Sequence, residues 1–124
     1  NNVEEIEEIK KLITAFKNSG HQSLGIICKT LDQAEFVNEE TKELNVHLLT
    51  VDSTSFKEGI VITTVHLAKG LEFDEVIVPF VSSRNYQTDV DRSMLYIATT
   101  RAMHNLTLTY SRDVTKFIGD WISK

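Results

Sequence analysis

Apolar positions recur along the first segment at helical spacing. Val3, Ile6, Ile9, Ile13 and Phe16 share one face and charges fill the other, which predicts an amphipathic helix over 3–17 that stops near Gly20. Short apolar runs and helical stretches then alternate. Leu24 to Cys28 reads as a strand, and residues 31–44 as a helix with Leu31, Ala34, Val37, Thr41 and Leu44 on one side. Val46 to Thr50 reads as a second strand and the polar stretch 51–58 as a loop. Gly59 to Val65 is a β-branched third strand, and Val76 to Val81 a fourth, with Pro79 marking its end or an edge position. Residues 89–104 read as a helix, with Asp89 or Asp91 near its N-terminus. Leu106 to Tyr110 alternates as a fifth strand, and 113–122 reads as a closing helix with Val114, Phe117, Ile118, Trp121 and Ile122 inward. Strands that alternate with helices predict an α/β fold, a parallel sheet covered by helices on both faces.

Composition narrows the class without naming a function. A chain of 124 residues with 41% hydrophobic and 25% charged residues fits one soluble globular domain, residues 1–124. No apolar run approaches the roughly 18 residues of a membrane span, and the acidic N-terminus lacks a signal-peptide pattern. Cys28 is the single cysteine and sits in an apolar run, as expected of a reduced cytoplasmic thiol in a core strand. Nothing resembles a zinc or other metal site. The net charge of −5 argues against a general nucleic-acid binder. The excess lies in residues 1–62, largely at Glu4, Glu5, Glu7 and Glu8, which read as a solvated face. One local face can still hold phosphates, because that interaction depends on the few groups that touch them.

Two stretches carry chemistry. Thr64-Val65-His66-Leu67-Ala68-Lys69-Gly70-Leu71-Glu72-Phe73 follows a strand, and ligands of open parallel sheets gather beyond the carboxyl ends of strands. His66, Lys69, Gly70 and Glu72 offer a donor, a cation, a bare backbone approach and a carboxylate, a set suited to a phosphorylated sugar. A solvated loop closed by a turn glycine explains the same residues. Arg92 to Ala102 is a helix whose last turn gathers Thr99, Thr100 and Arg101. Arg101 there suits a phosphate, which its planar donors match, or a dipole interaction at the helix end. Among the remaining candidates, His21, His47 and His104 are scattered and read as structural or surface residues. Trp121 with Phe117 reads as core. Tyr86 and Arg84 suit base stacking, or simply an exposed loop.

The first stretch resembles motif V of superfamily 1 helicases of the UvrD/Rep type, a Thr-x-His-x-x-Lys-Gly-Leu-Glu-Phe pattern matched at every named position. The second resembles motif VI, Leu-Tyr-x-Ala-x-Thr-Arg-Ala, again matched throughout. Ile26-Ile27-Cys28-Lys29-Thr30 resembles the strand-end motif that precedes motif V, with Lys29 where arginine is usual. Lysine keeps the charge and loses the bidentate fork.

The resemblance implies the second RecA-like domain of such a helicase. It implies Arg101 as a catalytic finger on the γ-phosphate of ATP, with Gly70 and Glu72 near the nucleotide. Thr64, His66 and Lys29 would lie on the side of single-stranded DNA. The chain has no Gly-x-x-x-x-Gly-Lys-Ser/Thr phosphate loop and no strand ending in paired acids. ATP and Mg2+ would therefore be held largely by a first RecA-like domain elsewhere in a longer protein, and the isolated chain would be inactive. Residues 30–63 leave no room for the large inserted subdomain of UvrD and Rep. That shorter arrangement resembles HelD-type proteins, which release RNA polymerase from nucleic acid. A rival expectation is a RecA-like binding module that docks on RNA polymerase or a repair partner, its motor secondary or lost.

Overall fold

The computed structural model describes residues 2–49, 59–110 and 114–117. The chain opens with helix α1 (Asn2–Lys17), in which Ile6, Ile9, Ile13 and Phe16 are buried at the predicted spacing. Gly20 follows with φ +86°, the left-handed conformation that closes a helix end and that a side chain disfavours. Strand β1 (Ser23–Cys28) is buried at all six positions, as a parallel strand covered on both faces must be. Helix α2 (Leu31–Glu40) is capped by Thr30, whose hydroxyl accepts from the Gln33 N–H at 3.2 Å. The predicted helix over 31–44 is shorter, because Thr41 is its C-cap and a 3-10 turn over Lys42–Leu44 leads into left-handed Asn45.

Strand β2 is only His47–Leu48, and β3 is Gly59–Thr64. One α-helical turn follows, α3 (Val65–Ala68), and then β4 (Phe73–Val78), helix α4 (Asp89–Thr99) and β5 (Ala102–Leu108). The sheet runs β2-β3-β1-β4-β5 with every pair parallel, so the predicted α/β architecture holds. One core packs α1 and α2 against Leu24, Ile26, Cys28, Ile60 and Ile62. The other packs α3 and α4 against Ile27, Val61, Phe73, Val76 and Val78. Adjacent residues of β1 thus serve opposite faces, the period-two signature of a strand.

Other boundaries differ from expectation as well. β4 starts at Phe73 rather than Val76 and stops before Pro79, which has no N–H to extend the ladder. The helix predicted to reach His104 ends at Thr99, and β5 begins at Ala102 rather than Leu106. Ala102, Met103 and His104 tolerate a helix, but ladder bonds to β4 take them, with Ala102 opposite Phe73 and Asn105 opposite Glu75. Most of the predicted closing helix and the 51–58 loop lie outside the described residues. Val114, expected to face inward, is 37% exposed and forms an antiparallel bridge with Ser82, while Phe117 is buried as predicted. Among the described residues no helix is long and apolar enough to cross a membrane.

Candidate functional site

The singled-out residues fall at two opposite ends of the sheet. At the carboxyl ends, Cys28 of β1 is paired in register with Thr64 of β3, so Lys29, Thr64 and His66 emerge together. Thr64 is buried and caps α3, its hydroxyl accepting from the Leu67 N–H at 3.3 Å. The stretch expected to be a loop therefore begins as a helical turn that presents His66 to solvent. Lys29 is not a loose cation. Its Nζ lies 2.8 Å from Asp91 Oδ1 at the start of α4, donates to the Asn85 carbonyl, and sits 5.5 Å from the Tyr86 ring centroid.

Asp91 is held on both oxygens. Its Oδ2 accepts from the N–H groups of Gln87 at 2.9 Å and Thr88 at 3.1 Å, while Thr88 accepts from the Asp91 N–H, a reciprocal capping box. Desolvation pushes the Asp91 carboxyl up, but Lys29 and the two N–H donors outweigh it and bring the pKa down to about 2. Tyr86 is 1% exposed beneath this cluster, so it cannot stack on a base, and burial raises its phenol pKa. Arg84 is exposed beside it.

At the amino ends, Glu72 and Arg101 come together, with Gly70 in the turn that leads to Glu72. The Phe73 N–H, next to Glu72, donates to the Arg101 carbonyl at 2.9 Å. The expectation that the whole motif V stretch lies beyond carboxyl strand ends is thus corrected, since residues 69–72 carry the chain back along the sheet to the start of β4. Gly70 has φ +82°, and a Cβ there would meet nothing within 4 Å, so conformation rather than crowding favours glycine. Glu72 is exposed. The Arg101 Nε donates to the Ile97 carbonyl at 3.2 Å and Nη2 to the Thr100 hydroxyl at 3.2 Å, a cap on the last turn of α4. Among the described residues no carboxylate forms an ion pair with Arg101.

Phe73 anchors this end. It is fully buried, worth about 1.5–3 kcal/mol. It lies flat over Gly25, where a Cβ would meet its ring at 2.5 Å. The glycine in β1 is therefore a seat for the last residue of the motif V stretch.

Several residues escaped the sequence reading. Glu5, expected on a solvated face, is 4% exposed, and its Oε2 accepts from the Phe80 N–H and the Thr109 hydroxyl, both at 2.6 Å. That tie clasps the chain just beyond β4 and β5 and holds Phe80 at φ +61°. The signal was positional, because Glu5 lies four residues before Ile9 on the buried stripe of α1. His21 and His104, read as scattered, stack with ring centroids 5.0 Å apart. Glu75 lies 2.6 Å from His21 Nδ1, and Asp74 lies 3.9 Å from His104. The Gln22 N–H, with that of Ser23, lowers the Asp74 pKa against desolvation. Among the described residues no group of three or more His, Cys, Asp or Glu side chains is arranged to hold a metal ion.

The UvrD-like helicase C-terminal domain family matches residues 59–109, from β3 through β5. The ATP-dependent DNA helicase srs2 of Schizosaccharomyces pombe is 33% identical over 96 residues, 73% of this chain and 10% of that protein. The chain thus spans about a tenth of the length of that relative. Among solved structures, the C-terminal domain of a possible DNA helicase from Lactobacillus plantarum WCFS1 superposes with a TM-score of 0.78 at 29% identity, over 92% of this chain and 71% of that one. The C-terminal domain of the DEAD-box protein Dbp5 shares the fold, with a TM-score of 0.62 at 16% identity, over 99% of this chain and 77% of that one. Taken with the five-stranded parallel sheet, these matches identify the fold as that of RecA-like helicase C-terminal domains, and from β3 through β5 the chain matches the UvrD-like helicase C-terminal domain family.

Proposed function

We propose that residues 1–124 act as one domain, the C-terminal motor domain of an ATP-dependent DNA helicase or translocase in the cytoplasm. ATP with Mg2+ would bind between this chain and a first RecA-like domain of the same full-length protein, and single-stranded DNA would cross the carboxyl end of the sheet. The observation that carries the reading is the meeting of Glu72 and Arg101 at the amino ends of β4 and β5, with Gly70 in the turn just before, away from Thr64, His66 and Lys29. The amino end suits a polyphosphate: a guanidinium with no carboxylate partner among the described residues, and an open glycine backbone two residues before Glu72. When bound, Mg2+ neutralises phosphate charge, and its ligands are expected on the other domain.

Arg101 would leave its weak cap on α4 and place two donors on the γ-phosphate oxygens as charge builds there. Gly70 and Glu72 would orient the nucleotide, and Thr64, His66 and Lys29 would meet the DNA strand. The short connection from Lys29 to Thr64 supports a HelD-like arrangement, with RNA polymerase as a further partner.

The test is steady-state ATPase of the full-length protein with and without single-stranded DNA. Arg101→Ala should lower turnover by about 10³-fold or more while thermal stability changes little, by analogy with arginine fingers elsewhere. Arg101→Lys should not restore it, and the isolated 124-residue chain should not hydrolyse ATP. Near-normal turnover of Arg101→Ala would overturn the finger and favour a binding module that docks on RNA polymerase or a repair partner.

A further inference from the structure

At the carboxyl end of the sheet, the end of β1 and the start of α4 are joined by a tie that neither the motif V nor the motif VI pattern contains. Lys29 and Asp91 form a half-buried ion pair at 2.8 Å, with side chains 22% and 13% exposed. Each partner is fixed from its own side. The Lys29 N–H donates to Gln33 Oε1 at 3.1 Å, which pins the strand end to α2, and Asp91 is pinned by the Gln87 and Thr88 N–H groups. The loop between them is fixed too, since Asn85 Nδ2 donates to the Phe80 carbonyl at 3.0 Å and the Thr115 hydroxyl to the Tyr86 carbonyl at 2.7 Å. From Asp91, α4 runs back along the sheet, with Leu95 and Ala98 fully buried, and delivers Arg101 just past its last turn. Eleven helical residues span about 16 Å, so the pair sits at one end of a short rod and the guanidinium at the other.

We propose that Asp91 is a positioning residue: through Lys29 it couples the strand ends facing the DNA to helix α4, and so sets Arg101 at the far end. The inference rests on the two-ended reading above. An ammonium has three donors. Those of Lys29 meet Asp91 and the Asn85 carbonyl, which leaves one for an incoming phosphate. One cation then reads the strand and the helix together. A partly buried ion pair adds little net stability and instead fixes geometry, which is the property a coupling element needs.

The experiment uses the full-length protein and an oligo(dT) strand as the probe, with ATPase followed as DNA is titrated. Asp91→Asn keeps the side chain's shape and removes its charge. It should leave DNA-free ATPase and the half-saturating oligonucleotide concentration nearly unchanged and lower maximal DNA stimulation about tenfold, the scale of a coupling free energy. Asp91→Glu, which keeps the charge, should regain part of the stimulation, and it answers the question if Asp91→Asn folds poorly. The double variant Lys29→Met/Asp91→Asn should stimulate no worse than Lys29→Met alone, because both changes cut one tie. Full stimulation in folded Asp91→Asn, or independent losses in the double variant, would overturn the proposal. Neither result touches Arg101, so the motor reading stands or falls separately on Arg101→Ala.

Discussion

The carboxyl end of the sheet is tied together by side chains; at the amino end His21, Glu75, Asp74 and His104 also make contacts, but among the described residues the side chains of Glu72 and Arg101 make none across elements. At the carboxyl end, Lys29, Asp91, Thr64 and Glu5 each hold a backbone or charged partner across elements or at a helix cap, and Tyr86 is sealed beneath them. At the amino end, Glu72 and Gly70 are exposed, and Arg101 rests on its own helix. Parallel sheets commonly place their ligands at the first kind of end. Here the second kind holds the residues suited to a phosphate, as expected of a surface completed by another domain. A cap hydrogen bond and dipole interaction of about 0.3–1 kcal/mol are easily exchanged for a charged ligand. A buried carboxylate with two donors is not.

The largest effect on the fold should come from breaking the built end. Glu5→Ala leaves the Phe80 N–H and the Thr109 hydroxyl buried without their acceptor, so it should destabilise the chain by about 3 kcal/mol, read as a fall in the urea midpoint. A wild-type midpoint would mean that water satisfies both groups. Next comes the anchor of the open end. Gly25→Ala pushes a methyl into the Phe73 ring and should cost about 1–3 kcal/mol. Phe73→Leu in the same background should recover part of that loss, and no recovery would show that the strain lies elsewhere.

The smallest effect is acid sensitivity at the tie. The folded pKa of Asp91, about 2, lies below that of an unfolded aspartate, so its contribution is present above roughly pH 4. It is lost as pH falls through the folded value. The stability gap between wild type and Asp91→Asn should therefore shrink between about pH 4 and pH 2. A gap constant over that range would mean the charge of Asp91 does nothing for the fold.

What could be read beforehand follows the reach of each interaction. The stretches that resemble motifs V and VI were legible because the side chains proposed to act are themselves the pattern, and the α/β alternation followed from local periodicity. The end of α4 was not, because Ala102 to His104 are decided by their ladder with β4, which spacing along the chain does not reveal. Nor was the partner of Lys29. Asp91 could be placed at a helix start, but only the parallel sheet order brings that start to the end of β1. The stacking of His21 on His104 is long-range in the same sense. Glu5 differed, since its place on the buried stripe was visible and its composition argued the other way.

The division of labour between the two ends is tested most directly by comparing His66→Ala with Arg101→Ala in the full-length protein, titrating ATP and single-stranded DNA in turn. His66→Ala should weaken DNA stimulation and leave the KM for ATP nearly intact. Arg101→Ala should lower turnover and leave the half-saturating DNA concentration nearly intact. If His66→Ala raises the KM for ATP while DNA stimulation survives, or if both variants lose the same parameter, the two ends do not hold separate ligands.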